Sequence, residues 1–327
     1  MKAQTVSILG LGRIGASVGL ALKASEFELQ IIGYDEGRET GNKAKEIGAV
    51  DKMVWNLLNA ATMADIIVLA LPFKDLENTL QLLGDDLSPH ALIIDLGSLK
   101  SPGQKWANKY VKRGHYVGAS LVLSASMLTD SRLSIEAADP KLFEDSVFCI
   151  TPSPSAEPKA VETAVNFGRL LGATPFFLDA MEFDSLMHGV ETGPGLLSAA
   201  MFRAVQQSPG WRDILRFAGL PFALATTGLE NEDLAYLALQ DKEASLRWLD
   251  SVLEQLKDVR RWIADGEFER LDLILDEVAI ERARWLHNRT KNDWTENIDK
   301  PDLSQVGGIG GQFFGAFGRR GKDKSES

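Results

Sequence analysis

Residues 6–23 read VSILGLGRIGASVGLALK, and this stretch decides the fold. Val6, Ile8 and Leu9 form a short apolar run of the kind buried in a parallel sheet, and Gly10, Gly12 and Gly15 follow as G-x-G-x-x-G. Ala16 to Lys23 continues as a helix. In such a unit the first glycine permits a tight turn, the second lets the backbone approach a pyrophosphate, and the third lets helix pack on strand. Gly10, Leu11, Gly12, Arg13, Ile14 and Gly15 are therefore the expected phosphate contacts, at a helix N-terminus whose free N–H groups favour an anion.

The next apolar run, Leu29 to Tyr34, ends in Asp35, 20 residues beyond Gly15. A carboxylate there accepts from a ribose 2′-hydroxyl, and with Glu36 it repels a 2′-phosphate. NAD is the expected cofactor, with NADP, through Arg38, as the lesser alternative. Ile66 to Leu71 is a continuous apolar strand closed by Pro72, which places Leu71, Pro72 and Phe73 near the nicotinamide half. Ala91 to Asp95 leads into Leu-Gly-Ser-Leu-Lys. Ser98 there either hydrogen-bonds a substrate oxygen or the nicotinamide amide, or caps a helix beginning at Ser101. Further strands are expected at His115–Leu121, Ser146–Thr151 and Thr174–Leu178, with helices over 42–47, 76–83 and 156–171. The alternation predicts an α/β fold, a Rossmann-type doubly wound parallel sheet over residues 1–180.

From Met181 the pattern turns helical, over 186–205, 212–226, 232–263 and 268–288. Leu246, Leu249, Leu253 and Leu256, then Leu271, Ile274, Leu275, Val278 and Ala279, recur at three and four spacing. Residues 181–290 read as an all-helical substrate and dimerisation domain, and a homodimer is expected. Residues 291–327, with Gly307, Gly308, Gly310 and Gly311 before Phe313, Phe314 and Phe317, read as a flexible tail.

Composition narrows the function class. A net charge of −11 over 327 residues and a pI near 5.0 argue against a nucleic-acid partner. Four histidines and one cysteine form no close ligand cluster, so no metal is expected. Cys149, within SVFCIT, reads as a packed strand thiol. No apolar run reaches membrane-spanning length and no leader precedes the first strand, so a cytoplasmic protein with a small-molecule substrate is expected.

With these motifs in place the chain resembles the prephenate dehydrogenase family over Thr5 to Asn288. The resemblance is carried by LGLGRIGASVGLALK from Leu9, GYD ending at Asp35, ADIIVLALP ending at Pro72, DLGSLK from Asp95 and LFEDSVFCITP ending at Pro152. It implies a Rossmann domain with a helical dimerisation domain, and NAD-dependent oxidative decarboxylation of prephenate to 4-hydroxyphenylpyruvate in tyrosine biosynthesis. In that family histidines polarise the hydroxyl and arginines hold the dianionic substrate.

This chain departs from that pattern at the chemistry. Ser120 stands where the Gly-Gly-His-Pro segment has its histidine. Thr192 and Gly195 stand where the Ser-His-Leu-Pro-His helix has its two, and Ala223 and Thr227 replace the arginines of Phe-Arg-Asp-x-Thr-Arg. The candidate catalytic residues are then Ser98, Ser120, Thr192 and His188, one turn before Thr192 on the same helical face. His115 opens its strand, roughly 15 Å from the carboxyl end at about 3.3 Å per residue. Lys100, Arg203, Arg212 and Arg216 could hold a carboxylate, and read otherwise as solvated surface charges. The alternatives are a dehydrogenase for a less anionic hydroxy substrate and a dinucleotide-binding protein without catalysis.

Overall fold

The computed structural model describes residues 5–292, so the expected tail beyond Asn292 lies outside the described residues. The described residues form two compact units, divided between Leu253 and Glu254.

The first unit is built on one eight-stranded sheet: β1 (Thr5–Leu9), β2 (Gln30–Tyr34), β3 (Lys52–Met53), β4 (Ile66–Leu69), β5 (Leu92–Asp95), β6 (His115–Leu121), β7 (Ser146–Thr151) and β8 (Ala173–Phe177). Their order across the sheet is β3-β2-β1-β4-β5-β6-β7-β8. Val6, Ile8, Ile31, Ile32, Ile67, Val68, Ile93 and Ile94 are buried, as expected for strands covered by helices on both faces. The order reverses between β1 and β4, whose registers match Val6 to Ile66 and Leu9 to Leu69. Ligands of doubly wound sheets lie beyond the strand ends at such a reversal. Both Gly10 and Ala70 stand at that point.

One pairing differs from a parallel sheet. β6 and β7 run antiparallel, Gly118 opposite Thr151 and Leu121 opposite Phe148. The connection between them, residues 122–145, holds only two short 3-10 turns, Ala125–Met127 and Ile135–Ala137, and a parallel crossover needs a longer covering element. β3 is too short to show an apolar pattern.

The helical part of the first unit is more broken than the sequence suggests. The helix Ala180–Met187 passes through a π turn, His188–Thr192, into Gly193–Gln206. Trp211–Arg216 and Leu220–Thr226 are separate helices, divided before Gly219 and Pro221, and Leu234–Gln240 is separate from Lys242–Asp265. The second unit holds the end of that last helix and the helix Phe268–Lys291. No helix among the described residues is long and apolar enough to cross a membrane.

Candidate active site

The glycine turn is fixed by close backbone approach. Gly10 has φ +94, and a Cβ there would run into the Ala70 carbonyl of the neighbouring strand. A Cβ on Gly15 would run into the Gly10 carbonyl, whereas the nearest atom to one on Gly12 is the Leu133 carbonyl oxygen at 3.7 Å. Gly12 is thus the glycine whose missing side chain leaves space rather than relieving a clash. At the end of β2, Asp35 is held by two backbone donors, Leu11 N–H to Oδ2 at 2.8 Å and Gly37 N–H to Oδ1 at 2.8 Å. The first of these bonds ties the carboxylate to the glycine turn itself.

Arg13 is nearly buried, at 3% exposure, and clasps the β6–β7 connection. Its Nη1 donates to the carbonyls of Asp130 at 2.6 Å and Arg132 at 2.8 Å, and its backbone N–H donates to the Leu133 carbonyl at 3.1 Å. Arg132 in turn donates to both carboxylate oxygens of Asp130. With Arg13 also near, it holds the Asp130 carboxyl well below the usual carboxylate range. A hydrogen bond from a charged donor contributes about 1.5–3 kcal/mol, and tenfold corresponds to about 1.4 kcal/mol. Arg13→Ala is therefore expected to speed amide hydrogen exchange over 130–134 by about tenfold or more; unchanged exchange would mean that the connection is held by other contacts.

The turn after β5 is organised by charged groups. Asp95 is fully buried; it accepts from Gly97 N–H at 2.7 Å and from the Tyr116 hydroxyl at 2.6 Å. Burial and the Asp95 carboxylate push that phenol well above its ordinary value. Lys100, read from sequence as a surface charge or carboxylate holder, is fully buried instead. Its ammonium donates to the carbonyls of Asp95, at 3.1 Å, and Gly97, and lies 5.5 Å from the Phe183 ring centre. Burial pushes the Lys100 pKa down, against the pull of Asp95 and Asp184. The Asp184 carboxylate accepts from Lys100 N–H at 2.5 Å and Ser101 N–H at 2.9 Å. It therefore takes the capping position at the helix Ser101–Tyr110 that sequence offered to Ser98. The Ser98 hydroxyl, half-buried, makes no hydrogen bond among the described residues.

A second carboxylate docks the helical part onto the sheet. Asp233 accepts from Phe73 N–H at 2.5 Å and Lys74 N–H at 3.4 Å, in the turn after β4. Between these two attachments lies a cleft of about 1410 Å³. Ile14, Pro72, Ser98 and Ser120 line its sheet side, and Met187, Val190, Glu191, Pro194, Leu197 and Met201 its helical side.

The cleft brings together Ile14, Pro72, Ser98 and Ser120 among the predicted site residues. Leu71 is half-buried beside it and packs into the core. Thr192, at 2% exposure, and His188, at 0%, do not line it. His188 Nδ1 is 3.2 Å from Ser245 Oγ, whose proton goes to the Ala238 carbonyl. Nδ1 is therefore the donor, and burial pushes the His188 pKa down, which favours the neutral ring. His115 pairs with Glu157 at 3.1 Å. Cys149 is buried, and burial pushes its thiol up to about 11, as for a packed thiol rather than a nucleophile. Arg203, Arg212 and Arg216 do not line the cleft. Glu191, which sequence reasoning passed over, does; its signal was an acid on the apolar stripe Met187, Val190, Pro194, Leu197.

The profile of the prephenate dehydrogenase nucleotide-binding domain matches residues 18–175. Prephenate dehydrogenase of Lactococcus lactis subsp. cremoris is 30% identical over 279 residues, covering 84% of this chain and 70% of the relative. Among solved structures, prephenate dehydrogenase from A. aeolicus in complex with hydroxyphenyl propionate and NAD+ has a TM-score of 0.76 at 22% identity, covering 87% of this chain and 99% of that one. Synechocystis arogenate dehydrogenase has a TM-score of 0.66 at 22% identity, covering 86% and 100%. The glycine turn at the sheet reversal, the cleft beside it and the 30% identity lead to one assignment: this chain belongs to the prephenate dehydrogenase family.

Proposed function

We propose that this protein is an NAD-dependent dehydrogenase of a small hydroxy substrate, related to prephenate but less anionic. The observation that carries the reading is the single cleft that joins Ile14 of the glycine turn and Pro72 and Ser98 at the strand ends to the helical wall. Gly12 and the N–H groups at the start of the following helix suit a pyrophosphate, and the Asp35 carboxylate suits an unphosphorylated ribose. Arg38, the candidate for a 2′-phosphate, has its guanidinium 5.4 Å from the Trp55 ring centre. Pro72 and Ser98 lie where the nicotinamide half would. Bound NAD would supply the hydride acceptor; the A. aeolicus relative carries it.

The charge of the cleft favours the less anionic substrate. Its lining holds Glu191, Glu230, Glu232 and Asp233 against one cation, Arg132, among the described residues. Arg132 is paired with Asp130 at 2.6 Å and Glu232 with Lys74 at 3.3 Å, which leaves the acids Glu191, Glu230 and Asp233 against no unpaired cation of the lining. A dianion such as prephenate would enter a field of its own sign, at a cost of about 1 kcal/mol or more per uncompensated contact. Ser98 and Ser120 offer neutral hydrogen bonds instead, and Ser120 replaces a family histidine there.

The test is NADH absorbance with NAD and either prephenate or arogenate, its amino counterpart, beside calorimetry of NAD binding. Turnover that favours arogenate supports the reading. A strong preference for prephenate removes the charge argument, and binding of NADP in preference to NAD removes the assignment of Asp35.

We also infer a homodimer through the helical part, within a domain division near residues 180 and 290. The helix Phe268–Lys291 exposes Leu273, Leu275, Val278, Ile280 and Trp285, and Lys242–Asp265 exposes Leu246, Leu253, Leu256 and Ile263, faces of the kind that subunits bury. A monomer mass in light scattering at micromolar concentration would count against it.

A further inference from the structure

Oxidation of a hydroxyl needs a group that takes its proton, and the family's histidine positions hold Ser120, Thr192 and Gly195 here. A serine is not a base at neutral pH, and Thr192 and His188 do not line the cleft. Five titratable side chains line it among the described residues: Arg132, Glu191, Glu230, Glu232 and Asp233. Arg132 is a donor only. Glu232 pairs with Lys74 Nζ at 3.3 Å, and Asp233 is committed to the N–H groups of Phe73 and Lys74. Glu191 and Glu230 remain.

Two observations separate Glu191 from Glu230. Glu191 acts on the buried Lys100 ammonium, which donates to the carbonyls of Asp95 and Gly97 under Ser98. Glu230 is not among the charges that act on Lys100. Neither glutamate makes a hydrogen bond or ion pair among the described residues, so the oxygens of both are available. Of the two, Glu191 lies in the π turn His188–Thr192, a feature that recurs at functional sites. His188 and Thr192 are buried, while Glu191 stands in the cleft between the apolar Val190 and Pro194.

We propose, resting on the dehydrogenase reading above, that Glu191 is the catalytic base of this cleft. Its carboxylate takes the proton as the substrate O–H bond breaks, and that electron pair becomes the second carbon–oxygen bond. The hydrogen on the same carbon leaves with the C–H pair as hydride to the nicotinamide of bound NAD. With prephenate or arogenate the ring carboxylate then leaves as carbon dioxide, the pair of its bond enters the ring, and the proton returns from Glu191 to the carbonyl oxygen, which becomes the phenol. Surrounding protein pushes the Glu191 carboxyl above its ordinary value, with Lys100 opposing. That direction moves a carboxylate toward the range useful to a base near neutrality.

The experiment compares wild type, Glu191→Gln and Glu191→Asp in turnover of prephenate and of arogenate, in NAD binding by calorimetry, and in carbon-13 NMR of glutamate carboxyls before NAD is added. Glutamine keeps the size and loses the base, so kcat is expected to fall about 10²- to 10⁴-fold, with NAD affinity changed by less than about threefold. Aspartate is expected to recover part of the rate. The resonance lost in Glu191→Gln is expected to titrate above the ordinary 4.5. Turnover in Glu191→Gln within about tenfold of wild type overturns the assignment alone, as does a rate loss matched by lost NAD binding or an ordinary titration. A wild type that binds NAD yet turns over neither compound sinks the dehydrogenase reading, and the base with it.

Discussion

Gly15→Ala is expected to cost this protein much of its stability, whereas Gly12→Ala costs it only its nucleotide. At Gly15 the new Cβ would overlap the Gly10 carbonyl oxygen, and would stand 3.0 Å from the Gly10 carbonyl carbon and 3.2 Å from Ile8 Cγ2. The first two obstacles are backbone in the tightest part of the turn, which cannot swing aside as a side chain can. Overpacking of a core costs about 1–3 kcal/mol, and more where backbone must move. For a unit of this size that lowers Tm by about 2–12 °C, and by about 6–12 °C at the 3 kcal/mol end expected where backbone is the obstacle. At Gly12 the nearest atom would be 3.7 Å away, ordinary contact, so Tm should stay within about 2 °C. The same Cβ would stand where a pyrophosphate meets the backbone, and NAD affinity should fall by about tenfold or more. Differential scanning calorimetry and titration calorimetry on both variants separate the roles. A Gly12→Ala protein that binds NAD normally would mean that the phosphates lie elsewhere.

The same distinction explains what the sequence made legible. The glycine turn could be read because its demands are local: a positive φ at Gly10 and a missing side chain at Gly15 act over a few residues. Buried strands such as Ile66–Leu69 show as apolar runs for the same reason. Direction of pairing does not show, since an apolar run reads alike in either sense, and the antiparallel β6–β7 pairing follows from the connection rather than from the strands. Lys100 was misjudged because, although its ammonium bonds the nearby carbonyls of Asp95 and Gly97, the Phe183 ring beside it comes from a helix far along the chain, beyond any local pattern. His188 and Thr192 stand at the two ends of the π turn and are both buried, so the cleft is left to Met187, Val190, Glu191 and Pro194. Read as a stripe, those residues carried the signal; read against the family's histidines, they did not.

Replacement of Lys100 is expected to have the largest effect of any charged side chain. Lys100→Ala would leave the Asp95 and Gly97 carbonyls without their donor and open a cavity. It would also strip the neighbouring Asp184 and Glu191 of a nearby cation. Removing one partner from a buried charged cluster costs about 3–5 kcal/mol. Lys100→Met keeps most of the volume and should cost less, about 1–3 kcal/mol for the two unmade hydrogen bonds. The methionine variant also isolates a pH effect. Burial lowers the folded pKa of Lys100 below the unfolded 10.5, so between those two values the unfolded chain holds more protons, and stability rises with pH. Below the folded value both states are protonated and the contribution is flat. Tyr116 and Cys149, both raised, act in the opposite sense; Tyr116 does so in wild type and variant alike, whereas the Cys149 thiol, which Lys100 holds lower, is raised further in the variant and adds to the difference in the same direction. The stability difference between wild type and Lys100→Met, from urea unfolding at steps up to pH 10.5, should therefore grow in favour of wild type at the alkaline end. A difference that stays level would mean that Lys100 titrates as an ordinary lysine and that its buried charge is fully compensated. Because the ammonium ties the two carbonyls flanking the approach to Ser98, Lys100→Met should also lower kcat at temperatures where the variant remains folded.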